Sequence, residues 1–194
     1  MSSFLIPDNF VKRGDLKQED AKIYNVPLTS LRVHDALQTA LGTAGNDDLG
    51  LSSGTFGTYG PTLTSGDLGE ASLDTARYGR FQFALPVEYV DGQTITLRVR
   101  GGMIVIADVT GSLDASVYKA DEDSNEGDDL CATTVQDVNE AAYANFDFTV
   151  TPTGLIAGDM LDIRLAVIVD DDSTATANVQ FDITQVQLLL DVRG

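Results

Sequence analysis

Residues 161–169 are LDIRLAVIV, in which the odd positions carry Leu161, Ile163, Leu165, Val167 and Val169. Arg164 stands among the even positions. Because successive side chains of a β-strand point to opposite faces, this period of two predicts a half-buried strand with one apolar face. The same pattern recurs on both sides of this stretch, so it indicates the fold class for most of the chain.

The region from Thr75 to Val192 contains further alternating segments, each closed by a turn rich in Gly, Pro or Asp. They are residues 81–85, 94–100, 113–118 and 146–150. Residues 28–33 are interpreted as an earlier strand, and the continuously apolar residues 103–107 as a strand covered on both sides. Many short strands and almost no helical period predict an all-β fold, namely an antiparallel two-sheet sandwich of jelly-roll type.

The last alternating segment changes its parity. Apolar side chains occupy odd positions from Ala175 to Ile183 and even positions from Val186 to Val192. One extra residue in a strand reverses the face of every side chain that follows it. We therefore expect a β-bulge or a change of sheet near Thr184 and Gln185.

The 194 residues divide into an N-terminal arm and one sandwich domain. Residues 1–23 show scattered apolar positions without a sustained period and are predicted to form the arm, and residues 24–194 the domain. Within the domain, residues 42–70 hold eight of the chain's 18 glycines and are predicted to form a glycine-rich loop segment. The aromatic residues Phe56 and Tyr59 indicate that this loop packs on the sandwich or on a neighbouring subunit.

The arm is the predicted interface. Basic residues crowd the N-terminus, whereas no Lys or Arg occurs between residues 33 and 76. This contrast favours docking of the arm onto an acidic neighbour, and a solvated tail is the alternative. The candidate interface residues are Phe4, Ile6, Phe10, Val11, Lys12 and Arg13.

The formal net charge of −18 excludes some classes of partner. Binding to a phosphate backbone depends on Lys and Arg, so we expect no direct contact with nucleic acid. No apolar run approaches the roughly 20 residues of a membrane span, and residues 1–10 lack the features of a signal peptide. The single cysteine, Cys131, has no partner for an internal disulfide, which favours a reducing compartment.

No motif in the sequence predicts catalysis. Residues 50–54, GLSSG, satisfy the G-x-S-x-G pattern, but the strand and helix that this motif requires are not predicted around Ser52. The sole histidine, His34, precedes this serine and has no identifiable nucleophile. We therefore expect a protein that is not an enzyme and has no catalytic residues or cofactor.

Two acidic segments are candidates for calcium. Residues 121–129 and 170–172 carry many oxygen ligands and are candidates for two turns that share an ion at one rim of the sandwich. A loop starting at Asp121 does not fit the EF-hand, because it offers Ala132 where a bidentate Glu is needed. Solvated loops are favoured, so no metal ligand is assigned.

Several short phrases resemble a group of uncharacterised proteins of phage and environmental genomes. They are VHDALQ (33–38), DDLGL (47–51), GTFG (54–57), RYGRF (77–81), LPVEYV (85–90), DLC (129–131), FTVTPTGL (148–155) and GD (158–159). The overall plan resembles the jelly-roll auxiliary capsid proteins of tailed phages. This resemblance implies a structural virion protein that is made in the host cytoplasm and sits on the outer capsid surface.

The leading hypothesis is accordingly a capsid cement or decoration protein, a homotrimer that binds the major capsid protein and stabilises the shell. Two alternatives stay open. The first is a carbohydrate- or receptor-binding sandwich, such as a head fibre or tail adhesin module, although the absence of Trp weakens it. The second is a hydrolase that uses paired carboxylates.

Overall fold

The computed structural model describes residues 19–66, 75–104, 109–120, 127–139, 142–171 and 179–193. In these ranges, ten strands form two antiparallel sheets. The strands are β1 (Glu19–Val26), β2 (Gly50–Ser52), β3 (Thr62–Thr64), β4 (Thr75–Ala84), β5 (Ile95–Met103), β6 (Val109–Lys119), β7 (Gln136–Asp137), β8 (Ala144–Val150), β9 (Met160–Asp171) and β10 (Phe181–Arg193). Within the described ranges, no helix is long and apolar enough to cross a lipid bilayer.

Sheet A has the strand order β2-β3-β10-β5-β8, and β1 pairs with the C-terminal part of β10. Sheet B has the order β4-β9-β6-β7. Their inner faces share one core, in which the apolar residues of β9, of β5 and of β10 are buried. The predicted antiparallel two-sheet sandwich is therefore confirmed.

The strand at residues 161–169 lies where its alternation predicts. Leu161, Ile163 and Leu165 are buried, and Arg164 is exposed on the opposite face. The strand pairs with β4 on one side and β6 on the other, so it is central in sheet B. A central strand with one solvent-facing side gives the clean period of two that the sequence shows.

The parity switch in β10 is a β-bulge. Ile183 lies opposite Gly101 of β5, whereas Gln185 lies opposite Arg100, so Thr184 is the extra residue. This confirms the predicted irregularity near Thr184 and Gln185. Its consequence is that even positions of β10 face outward before the bulge and inward after it.

Two predicted boundaries differ in the structure. Residues 28–30 form a single 3₁₀ turn instead of a strand, because the Ser30 N–H and hydroxyl groups both bond to the Pro27 carbonyl. The start of the apolar strand predicted at residues 103–107 belongs to another strand, because Met103 is the last residue of β5, and Ile104, which follows it, is exposed. Residues 105–108 lie outside the described part.

The glycine-rich segment 42–70 is not a loop throughout. It contains β2 and β3, which pair with each other through Leu51 and Leu63. Its two aromatic residues do not pack on the sandwich, because Phe56 is 106% and Tyr59 73% exposed. Residues 19–23, assigned to the arm from the sequence, lie in β1, and residues 1–18 lie outside the described part.

The outer face of sheet A carries an ion pair with a measurable pH signature. Arg98 lies opposite Asp147 and donates two hydrogen bonds of 2.6 Å to its carboxylate. These bonds, opposed by partial burial, lower the pKa of Asp147. A carboxylate whose pKa is lowered in the folded state stabilises the fold above its unfolded pKa, and this contribution is lost as the pH falls through the folded value.

We expect Asp147→Asn to reduce the free energy of unfolding at pH 7 by no more than about 1 kcal/mol, since the pair is solvent-exposed and screened. The difference from the wild type should vanish once the pH lies below the folded pKa of Asp147. Urea unfolding at neutral and acid pH measures both quantities. Asp35→Asn, an equal charge change at an exposed site, is the control. An Asp147→Asn deficit that is the same at both pH values would contradict this role of the pair.

Candidate functional site

One cross-strand row on the outer face of sheet A forms the floor of a concave site. Gly50 of β2 lies opposite Thr64 of β3, Thr64 opposite Asp182 of β10, and Asp182 opposite Gly102 of β5. Phe181, which precedes Asp182, is buried in the core, so the Asp182 side chain points outward. Three inter-strand spacings separate Gly50 from Gly102, which makes the floor about 14 Å wide.

The floor residues at both ends are glycines, and each lies beneath a wall. A Cβ built on Gly50 would come 2.8 Å from the Cα of Ala44, and one built on Gly102 would come 3.2 Å from the Cα of Tyr143. Gly50 therefore allows no side chain, and a side chain at Gly102 would force the neighbouring backbone to shift by a few tenths of an ångström. Residues 43–44 therefore rise over one end of the row and Tyr143 over the other.

The hairpin between β2 and β3 adds a third border. Its tip is closed by a hydrogen bond of 3.0 Å from the Thr55 N–H to the Tyr59 carbonyl. Gly54 begins the hairpin at a φ of 66°, where a side chain would also strike the Gly60 carbonyl. The hairpin holds the Tyr59 ring at the border of the concave site and the Phe56 ring in solvent.

Together these elements enclose the trough, an open cavity of about 810 Å³. This volume lies within the usual range of small-molecule sites. Hydroxyl, amide and aromatic groups dominate its lining, and Asp182 is the one charged residue among the described lining residues. The lining consists of Thr43, Ala44, Gly50, Leu51, Ser52, Ser53, Gly54, Tyr59, Gly60, Thr62, Thr64, Gly66, Tyr143, Gln180 and Asp182.

Asp182 is the most constrained polar group of the trough. The residue is only 8% exposed, and its Oδ1 accepts a hydrogen bond of 2.6 Å from Nε2 of Gln180. No described residue donates to its Oδ2, which leaves an acceptor at the floor. Burial, and next the charge of Asp182, raise the pKa of Tyr143. The floor and the Tyr143 wall are thus electrostatically coupled.

A smaller pocket of about 140 Å³ lies on the outer face of sheet B. Its polar groups bond largely to each other, since Arg80 donates two bonds of 2.6 Å to the carboxylate of Asp162. Gln82 donates a further bond to the same carboxylate. Groups that satisfy each other have little to offer a ligand, so the trough is the stronger candidate site.

The sequence-predicted site residues are distributed as follows. The six arm residues proposed as an interface, Phe4, Ile6, Phe10, Val11, Lys12 and Arg13, lie outside the described residues. Ser52 of the GLSSG motif lies in β2 and lines the trough. The chain then enters a hairpin to β3, not the helix that a nucleophile elbow requires.

His34 lies apart from the trough-lining residues, between two carboxylates. Its Nδ1 atom is 3.2 Å from Oδ1 of Asp48, and its Nε2 atom is 3.5 Å from Oδ2 of Asp47. These three residues are of metal-binding type, but the imidazole ring itself occupies the space between the carboxylates. These contacts hold the loop that follows His34 against the edge of β4. At the same edge, the backbones of Arg32 and Arg80 form hydrogen bonds with each other.

The two calcium candidates fall mostly on residues that the structure does not describe, 121–126 and 172. In the first segment, Oδ1 of Asp129 accepts the N–H groups of Val117 and Cys131, so this oxygen holds the backbone. In the second, residues 170 and 171 extend β9 and pair with β6, so they are not the turn that the sequence indicated.

The sequence matches no protein-family model and no curated protein. Several solved structures are similar in fold. The xylan-binding module CBM15 is 14% identical, with a TM-score of 0.46, and the match covers 90% of this chain and all of that chain. The C-terminal family 22 carbohydrate binding module of Clostridium thermocellum Xyn10B is 16% identical, with a TM-score of 0.42, over 88% of this chain and 94% of that one.

A third similar structure is the CBM36-1 domain of a multidomain xylanase from the hindgut metagenome of Trinervitermes trinervoides. It is 10% identical, with a TM-score of 0.42, over 88% of this chain and 96% of that one. At these identities and TM-scores, the likeness extends to the β-sandwich fold and not to a ligand.

Proposed function

We propose that this protein is a carbohydrate-binding β-sandwich whose site is the trough on the outer face of sheet A. The ligand is an oligosaccharide or a polysaccharide segment of a few sugar units, held without chemical change. This function corresponds to the alternative that the sequence left open beside the capsid hypothesis.

The observation that carries the proposal is the combination of a polar floor with tyrosine borders. Sugar hydroxyl groups both donate and accept hydrogen bonds, and the floor offers the Asp182 carboxylate, the Gln180 amide and the Thr64 hydroxyl. The C–H face of a sugar ring is apolar and packs on aromatic rings, and Tyr59 and Tyr143 provide such rings with a hydroxyl at the tip. Tyrosine therefore replaces the tryptophan that the chain lacks.

The exposure of these tyrosines also favours binding. Tyr143 is 41% and Tyr59 73% exposed, so both rings carry apolar surface that a ligand would remove from water. Gly102 and Gly54 allow the backbones of Tyr143 and Tyr59 to approach closely. A site that is already shaped loses little conformational freedom on binding, which improves affinity.

A glycan array probed with the purified protein tests this function, and calorimetry with the best array ligand quantifies it. Tyr143→Ala and Tyr59→Ala should each weaken binding by roughly tenfold, because each removes a packing surface at the border of the trough. Tyr118→Ala on sheet B is the matched control and should bind like the wild type. Absence of binding to every glycan, or equal losses in all three variants, would contradict the proposed function.

The capsid cement role stays a prediction. It depends on the resemblance and on the arm, whose six candidate residues lie outside the described part. Imaging purified virus particles for this chain on the shell surface tests it. A carbohydrate-binding module on a head fibre or tail adhesin would reconcile a virion location with the trough.

A further inference from the structure

We infer that the trough selects neutral over acidic carbohydrates, and that Asp182 is the residue that sets this selectivity. The inference rests on the proposed function and names the ligand class of the same site. It follows from two properties of the described lining residues, which are their charge and their balance of hydrogen-bond donors and acceptors.

The first property is the charge around the floor. None of the described lining residues is Lys or Arg, and Asp182 contributes a carboxylate. The chain segment that provides one wall and the hairpin, residues 33–76, contains no Lys or Arg at all. An acidic sugar would therefore bring a second negative charge to a poorly hydrated carboxylate without gaining an ion pair.

One cation lies next to the trough. The Nη1 atom of Arg77 is 3.5 Å from the position of a Cβ on the lining residue Gly66. Its Nε and Nη1 atoms are buried without a hydrogen-bond partner. Burial lowers the pKa of Arg77, and the charge of Asp48 opposes this shift. Because Nε and Nη1 are buried, these two donors are not accessible to a ligand in the trough.

The second property is an acceptor at the floor that has no partner among the described residues. The Gln180 amide nitrogen is turned toward Oδ1 of Asp182, which leaves Oδ2 of Asp182 to accept from a ligand. A sugar hydroxyl can donate to this oxygen, whereas an ionised carboxylate or sulfate offers only acceptors. Placing an acceptor there leaves both groups unsatisfied, which adds to the electrostatic penalty.

The effect of Asp182 already extends to a neighbouring side chain. Its charge is the second cause, after burial, of the raised pKa of Tyr143. Two negative charges about 4 Å apart repel each other, so a ligand carboxylate next to Oδ2 of Asp182 would be disfavoured by about 30-fold or more relative to its neutral counterpart.

The experiment uses an array of neutral oligosaccharides beside matched counterparts that carry uronic acid or sulfate groups. Binding is compared for the wild type, for Asp182→Asn and for Asp191→Asn. The wild type should favour the neutral member of each bound pair by about 30-fold or more. Asp182→Asn should reduce this ratio at least tenfold. Asp191→Asn makes the same change of net charge on the same strand but outside the trough, and should leave the ratio unchanged.

A second measurement needs only the wild-type protein. Raising the NaCl concentration should improve binding of the acidic glycans by screening their repulsion, and leave neutral glycans unaffected. A circular-dichroism spectrum of Asp182→Asn that equals that of the wild type verifies that the variant is folded.

The outcomes separate this inference from the proposed function. Equal wild-type binding to neutral and acidic members would overturn the selectivity and leave carbohydrate binding intact. A selectivity ratio unchanged by Asp182→Asn would overturn the role of Asp182. Absence of binding to any glycan would overturn the proposed function itself.

Discussion

Phe181→Ala is expected to lower the free energy of unfolding by about 3–5 kcal/mol, the usual cost of deleting a buried phenylalanine ring. Phe181 is fully buried, and the centre of its ring lies 6.3 Å from the centre of the Phe146 ring. A Cβ built on Gly101 would lie 2.5 Å from its ring, so the backbone of β5 is already in contact and has little room to collapse. Chemical denaturation of the purified variant measures this loss.

The same change should also weaken ligand binding, because Phe181 anchors the strand segment that carries Asp182. Its N–H group and carbonyl each form a hydrogen bond of 3.0 Å with Ser65, next to the trough residue Thr64. Phe56→Ala is the matched control. Because the Phe56 ring is fully exposed, its removal should change the free energy of unfolding by no more than about 0.5 kcal/mol. Similar losses of stability in the two variants would contradict the burial of Phe181 in the core.

Gly50→Ala is expected to reduce stability by about 1–3 kcal/mol and to abolish binding in the trough. A methyl group at Gly50 would overlap backbone atoms of Ala44, because the methyl carbon would lie 2.8 Å from the Cα of Ala44. Backbone cannot rotate aside as a side chain can, so the wall at residues 43–44 must shift. Denaturation and calorimetry with the best array ligand measure the two effects.

The control for Gly50→Ala is Gly42→Ala in the same wall segment, where a Cβ would have no heavy atom within 4 Å. Gly42→Ala should retain both stability and binding. Retention of full binding by Gly50→Ala would indicate that the wall at residues 43–44 takes no part in the site.

The local patterns predicted most of the long strands. The alternation of residues 161–169 and the parity switch near Thr184 depend only on neighbours in sequence, so both were predictable from the sequence. The short strands β2 and β3 were missed because three residues each cannot establish a period. β3 is a strand because β10 offers it a partner more than a hundred residues away in the chain, and β2 pairs in turn with β3.

The trough was not predictable for the same reason. Thr64 and Asp182 meet through pairing between distant strands, and the backbone of Tyr143 approaches this row closely because Gly102 lacks a side chain. The one available signal was the glycine-rich segment with its embedded aromatic residues. It identified the hairpin that borders the site. Of the two partners expected for Phe56 and Tyr59, the sandwich is wrong, since both rings are exposed, and a neighbouring subunit stays a prediction.

The most direct test of carbohydrate binding in the trough is an NMR titration of the ¹⁵N-labelled protein with the best neutral oligosaccharide from the array. We predict that the amide shifts that change most belong to Thr64, Tyr143 and Asp182 and to the hairpin that carries Tyr59. Shifts confined to the outer face of sheet B, around Tyr118 and Arg164, would contradict this account, as would a spectrum that no glycan changes.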